Sequence, residues 1–172
     1  IGLVGIDTGM RAAEIAHSRE GWLHLNAPNP RIVVPIAEEC EMGVGARGND
    51  GGVSQARYRN KPCKGCRDRS QKPWAPDSAD FTPKSKNGGN RSIPIRDDDT
   101  RQVVECFFTV NDSVVTSQNV NGHVKSIADR AGLLEKSVDE EGNVNYWPTT
   151  HDLRDTYGTK LAKDGFGVHQ IK

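Results

Sequence analysis

Cysteine and histidine are the first residues whose spacing points to chemistry. Cys63 and Cys66 are separated by two residues, and Cys40 lies upstream. This is the spacing of half a zinc site, whose fourth ligand would have to be His17, His24 or an acidic residue. The alternative is a pair of free thiols in a loop. The cysteines form no dense disulfide pattern, so we expect a reducing, cytoplasmic location.

Basic residues are concentrated in the middle third of the chain. Residues 57–101 contain 12 Lys and Arg against 6 Asp and Glu, whereas the whole chain is neutral. A basic patch of this kind is typical of a surface that binds DNA, although a solvated basic loop has the same composition. No apolar run approaches the roughly 20 residues that cross a bilayer, so we expect no membrane partner.

The elements that must position these residues are predicted from local patterns. Helices are predicted over 1–6, from Met10 to about Ala16, from about Asp97, over 117–131, from Thr149 or Thr150 to about Lys163, and from about Val168. Strands are predicted at 32–34 and in a hairpin over 81–95, with a loop or short hairpin over 137–146. This is an α+β pattern with a small antiparallel sheet. Residues 37–80 have little periodicity and are predicted to be an irregular insertion within one domain.

Three segments then occur in an order typical of one enzyme family. Residues 8–15 (Thr-Gly-Met-Arg-Ala-Ala-Glu-Ile) place Arg11 after a Thr-Gly turn, and residues 83–95 form a lysine-bearing hairpin. Residues 150–154 (Thr-His-Asp-Leu-Arg) place His151 three positions before Arg154. Together they resemble the tyrosine recombinases, the phage-integrase type of DNA breaking and rejoining enzyme.

The resemblance implies a mostly helical α+β catalytic domain that spans 1–172 and acts on duplex DNA. Such enzymes transfer a DNA phosphodiester to a tyrosine hydroxyl, giving a 3′-phosphotyrosine, and then reverse the step. They use no metal ion and no other cofactor, and we expect neither in the reaction here. Full-length enzymes of this type act as homo-oligomers on DNA.

The resemblance also assigns roles to Arg11, Arg154 and His151. The two guanidinium groups would stabilise the extra negative charge of the five-coordinate phosphorus, because no metal ion does so. His151 would act as a second acid or base, or donate a hydrogen bond to the phosphate. Taken singly, Arg11 could instead cap its helix or pair with Glu14, and Arg154 could pair with an acidic neighbour on its helix.

The predicted hairpin carries the remaining candidates. Lys86 lies next to the turn and would protonate the leaving 5′ hydroxyl, in preference to Lys84. Lys84 and Arg91 would bind DNA. The alternative is that all three residues simply keep an exposed hairpin solvated.

The chain departs from the family pattern in two places. Asp155 stands where the family box usually has a second histidine, and it could brace Arg154 or mark a decayed enzyme. The nucleophilic tyrosine of the family belongs to a later segment than any in this sequence, so we expect a fragment. Tyr58, Tyr146 and Tyr157 do not match it, and Tyr157 is predicted to be a packing residue.

Two other functional classes stay open at this point. One is a catalytically inactive DNA-binding module derived from an integrase. The other is a zinc-supported interaction domain in which Cys63 and Cys66 matter more than Arg11. The sequence does not specify the target site.

We predict that the 172-residue chain forms no covalent product with a nicked attachment-site duplex, because no tyrosine matches the family nucleophile. Denaturing electrophoresis of the protein with end-labelled DNA checks this. A tyrosine-linked adduct would contradict the prediction.

Overall fold

A computed structural model of the chain describes residues 1–40, 62–63, 65–66, 68, 81, 90–111 and 117–167. The helices are α1 (Gly2–Thr8), α2 (Ala12–His17), α3 (Asp98–Val110), α4 (Ser117–Arg130) and α5 (Thr150–Lys163), and a 3-10 turn spans Glu20–Trp22. The strands are β1 (Leu23–His24), β2 (Arg31–Val34), β3 (Arg91–Pro94), β4 (Glu135–Val138) and β5 (Val144–Trp147). The predicted α+β class is confirmed. Among the described residues, no helix is both long and apolar enough to cross a membrane.

The larger sheet has the strand order β1-β2-β3, and both pairings are antiparallel. The predicted strand at 32–34 is confirmed as β2, with Ile32 opposite Ile93 of β3. The second arm of the predicted 81–95 hairpin is therefore a strand that pairs with β2. Residues 82–89, with Lys84 and Lys86, lie outside the described residues, as does the helix predicted from Val168.

The second sheet is the β4–β5 hairpin, which settles the choice left open over 137–146. Asp139 organises its turn by accepting hydrogen bonds from the backbone of Glu141 and Asn143. These backbone and side-chain hydrogen bonds hold the pKa of Asp139 below its ordinary value, with those of Asn143 having the largest effect.

Side-chain caps set the starts of the two helices that follow the larger sheet and the small hairpin. Asp97 accepts a hydrogen bond from the backbone of Thr100 at 2.9 Å and so begins α3. Thr149, and not Thr150, caps α5. In return, the carboxylate of Asp152 accepts the backbone N–H of Thr149 at 2.8 Å. Such reciprocal caps satisfy N–H groups that have no partner within the helix.

The helix predicted over 1–6 continues two residues further than expected. Asp7 and Thr8 are helical, and the chain reverses at Gly9, whose φ is 60°. Asp7 is held in α1 because its carboxylate accepts bonds from Thr100 of α3 and Lys160 of α5, at 2.8 and 2.5 Å. These bonds tie α1 to both neighbouring helices.

Two glycines allow α1 to lie close to α5. A Cβ on Gly5 would come within 2.9 Å of Leu153, and one on Gly9 would overlap the ring of Tyr157. This contact agrees with the packing role predicted for Tyr157. The close approach brings residues 150–154, the third of the three recombinase-like segments, towards Gly9 of the first segment.

The core lies between α2, the larger sheet and α4. Its buried apolar residues include Met10, Ile15, Trp22, Ile32, Val34, Phe81, Ile93 and Val120. The apolar residues of α3 are only partly covered: Val104 is buried, whereas Val103 and Phe107 are 42% and 38% exposed. The core is therefore modest, as the low apolar content of the sequence implies.

We predict that Gly9→Ala lowers the free energy of unfolding by about 2–4 kcal/mol, from the left-handed backbone and the overlap with Tyr157 together. Gly132→Ala is the matched control, because Gly132 has a φ of 68° but nothing within 4 Å of the added Cβ. It should cost only about 1–2 kcal/mol. Urea denaturation measures both, and equal losses would contradict the close α1–α5 contact.

Candidate functional site

A buried carboxylate, Glu14, stands at the centre of the first candidate site. Its side chain is 1% exposed. Oε2 accepts the backbone N–H of Arg11 at 2.7 Å and Nη2 of Arg91 at 2.6 Å, and Oε1 accepts Nη1 of Arg11 at 3.3 Å. Both of the roles considered for Arg11 alone are therefore present, since it begins α2 and also pairs with Glu14. A buried carboxylate is stable only when it is paired in this way.

Arg154 reaches the same place from α5. Its Nη1 donates to the carbonyl oxygen of Gly9, which immediately precedes Met10 and Arg11. Burial, and then the positive charges of Arg11 and Arg91, lower the pKa of Arg154. Arg11, Arg91 and Arg154 thus form a three-arginine cluster, built from the start of α2, the start of β3 and the middle of α5.

The cluster carries more positive than negative charge. The three guanidinium groups bring three positive charges, whereas Glu14 brings one negative charge that it shares between Arg11 and Arg91. The side chains of Arg11 and Arg91 are still 32% and 24% exposed, so part of each remains accessible. The arrangement can therefore bind a tetrahedral anion through several N–H donors.

The other predicted catalytic residues are not all in this cluster. His151 is on α5, one turn before Arg154, but its side chain is 79% exposed and its Nε2 lies 3.9 Å from Asp155 Oδ2. Asp155 therefore faces His151, and the acidic neighbour Asp152 is used in the Thr149 cap. Lys84 and Lys86 lie outside the described residues.

Two features of this cluster were missed from the sequence. Arg91 is predicted to bind DNA, and the structure adds that its guanidinium group donates to the buried Glu14. Side chains two positions apart share one face of a strand, so the apolar Ile93 was a signal that Arg91 also faces inward. Glu14 itself was considered only as a local partner of Arg11, because nothing in the sequence indicates that it is buried.

A second group of polar side chains lies at the other end of α2. His17, Cys40, Cys63 and Cys66 place one imidazole nitrogen and three sulfurs within 4.8 Å of one another. We refer to them as the thiol–imidazole cluster. Hydrogen bonds from Cys63 and Cys66 lower the pKa of Cys40, which favours a thiolate there. Of the three possibilities for a fourth ligand, the structure places His17 beside the sulfurs.

No protein-family model, curated protein or solved structure matches this chain.

We predict that Glu14→Gln lowers the free energy of unfolding by about 2–3 kcal/mol, because Arg11 and Arg91 lose the buried carboxylate to which they donate. The control is Glu135→Gln on the exposed strand β4, which should change stability by less than about 0.5 kcal/mol. Urea denaturation at one ionic strength compares the two. If the two variants lose the same stability, the cluster is not held by Glu14.

Proposed function

We propose that this chain is a catalytic-domain fragment of a tyrosine recombinase that binds duplex DNA, and that the three-arginine cluster holds the phosphate that reacts. The observation that carries the proposal is that three arginines lie together, with Arg11 and Arg91 bonded to Glu14 and Arg154 bonded to the adjacent Gly9 carbonyl. The resemblance in sequence assigns a phosphate-stabilising role to two of these arginines, Arg11 and Arg154.

The geometry suits phosphoryl transfer without a metal ion. A five-coordinate phosphorus carries more negative charge on its oxygens than the ground state does, and preformed donors stabilise that charge most effectively. Glu14 holds Arg11 and Arg91 in place, and the Gly9 carbonyl holds Arg154. The donors are therefore oriented before the phosphate binds, which lowers the reorganisation that the reaction requires.

The acid–base groups complete the proposal. In sequence Lys86 precedes Arg91, a member of the cluster, by five residues. In this proposal Lys86 protonates the leaving 5′ oxygen and His151 assists from α5. The nucleophilic tyrosine, the homo-oligomer on DNA and the intracellular setting belong to the full-length enzyme.

A second function is favoured by one observation. Asp155 faces His151 at 3.9 Å, where a carboxylate would hold the imidazole away from a phosphate. In that case the chain is an inactive DNA-binding module, and the arginines bind the DNA backbone without catalysis.

We predict that Arg154→Ala weakens duplex DNA binding about 10- to 100-fold and lowers the slope of log Kd against log salt by about 1, because one phosphate contact is lost. Arg154→Lys keeps the charge but loses the planar pair of donors, so it should keep the slope and lose affinity. The matched control is Arg130→Ala, at the exposed end of α4, which should do neither. Fluorescence anisotropy over a salt series measures the wild type and the three variants. Equal slopes for Arg154→Ala and the wild type would contradict DNA binding at the cluster.

Vanadate distinguishes the enzyme from the inactive module. Vanadate adopts the five-coordinate geometry of the transition state, and transition-state analogues bind about 100-fold or more tightly than ground-state ligands. The enzyme proposal therefore expects vanadate to displace labelled DNA at a far lower concentration than phosphate, and to lose this advantage in Arg154→Ala. Equal potency of the two anions would favour the inactive module.

A further inference from the structure

We propose that His17, Cys40, Cys63 and Cys66 bind one zinc ion in a tetrahedral, structural site that fastens the segment after β2 onto helix α2. The ligand atoms are Nε2 of His17 and Sγ of each cysteine. Nothing in the recombinase proposal requires this site, and the two proposals stand or fall separately.

The distances within the thiol–imidazole cluster fit a tetrahedral ion. Nε2 of His17 lies 3.4 Å from the sulfur of Cys40, 3.6 Å from that of Cys63 and 3.4 Å from that of Cys66. Zinc binds sulfur at about 2.3 Å and nitrogen at about 2.0–2.1 Å, so tetrahedral angles separate the two ligand atoms by about 3.6 Å. All four ligand atoms lie within 4.8 Å of one another, as one coordination sphere requires.

Hydrogen bonding alone does not account for this arrangement. Nε2 has either one lone pair or one proton, so it can make one hydrogen bond in the ring plane. Here three sulfurs surround it at nearly equal distances. Two buried thiols and one half-buried thiol cannot all hydrogen-bond to one nitrogen, whereas a central cation binds all four groups at once.

The surroundings of each ligand orient it for a metal ion. Nδ1 of His17 lies 2.6 Å from the carbonyl oxygen of Ala13, which places the proton on Nδ1 and leaves the lone pair on Nε2. Phe81 stacks on the imidazole with ring centroids 4.3 Å apart and fixes the plane of the ring.

Backbone N–H groups support the sulfurs. The N–H of Cys63 donates to Cys40 Sγ at 3.3 Å, and that of Cys66 donates to Cys63 Sγ at 3.4 Å. Such bonds stabilise the thiolates that a metal ion needs. The bond from Cys66 follows from the Cys-x-x-Cys spacing, because this spacing turns the backbone N–H of Cys66 towards the sulfur of Cys63.

The ligand set and its burial indicate zinc in a structural role. Three thiolates and one imidazole are a common structural zinc set, and the softness of sulfur disfavours magnesium and calcium. Cys40 and Cys66 are 1% exposed and His17 is 6% exposed. Four protein ligands leave no position for water or substrate, so the site would not be catalytic.

The location of the site gives it a structural consequence. His17 ends α2, one turn after Glu14, and Cys40 and Cys66 are part of the buried core. The ion would connect His17 to three cysteines that follow it in sequence by 23, 46 and 49 positions. It would therefore hold the end of the helix whose start carries Arg11 of the three-arginine cluster.

The test is the metal content of the full chain, purified without chelator and dialysed against metal-free buffer. We expect one zinc per chain by atomic emission. Replacement by cobalt(II) should give the thiolate charge-transfer bands and intense visible absorption of a tetrahedral site. These measurements need no variant, so they do not depend on whether a variant folds.

Matched variants identify the ligands. Cys66→Ser and His17→Asn should retain less than about a tenth of an ion per chain. Cys106→Ser and His24→Asn are the controls, because both residues are exposed and outside the cluster. They should keep the full content, and His17→Cys should keep it too because a sulfur replaces the nitrogen. Thermal unfolding of the wild type should shift downward on removal of zinc and recover when zinc is returned.

Three outcomes would overturn the proposal. The first is a folded wild-type chain that contains no stoichiometric zinc and takes up no cobalt. The second is an equal loss of metal in the Cys106 and Cys66 variants. The third is a disulfide between two of Cys40, Cys63 and Cys66 in protein purified under reducing conditions. DNA binding by the arginine variants is measured independently, so failure here would leave the proposed function untouched.

Discussion

The arrangement of the molecule depends on the burial of one carboxylate, Glu14. A charge with 1% of its side chain exposed must be neutralised by its neighbours, since burial of an unpaired ion costs several kcal/mol. Arg11 supplies one partner from the residue that precedes α2, and Arg91 supplies the other from β3. The requirement to pair this charge joins α2 to the sheet and gathers the arginines at the same time.

Helix α2 carries both sites, although it spans only Ala12–His17. Its first turn presents Glu14 to the arginines, and its last residue presents His17 to the three sulfurs. Ser18 closes the helix by donating to the carbonyl oxygen of Glu14 at 2.9 Å. A helix this short has little stability of its own, so its position must come from tertiary contacts at both ends.

The contact between α1 and α5 brings the third arginine into place. Gly5 and Gly9 lack the side chains that would keep Leu153 and Tyr157 at a distance. The carbonyl of Gly9 is then accessible to Arg154, and Asp7 bonds to Lys160 on the same helix. Small residues on one helix thus determine which side chains of its neighbour reach the cluster.

Local sequence patterns are sufficient to predict the α+β class, the strand at 32–34, a helix start near Asp97 and a helix start at Thr149 or Thr150. Each depends on residues within a few positions of one another, so composition and spacing contain the information. Residue types and spacing also show the order of the three recombinase-like segments. Tertiary contacts, in contrast, pair Arg91 with Glu14, which is 77 positions away in sequence. They also place His17, and not His24, beside the cysteines. Both outcomes depend on which side chains are buried against each other, and burial is a property of the folded chain that local spacing does not specify.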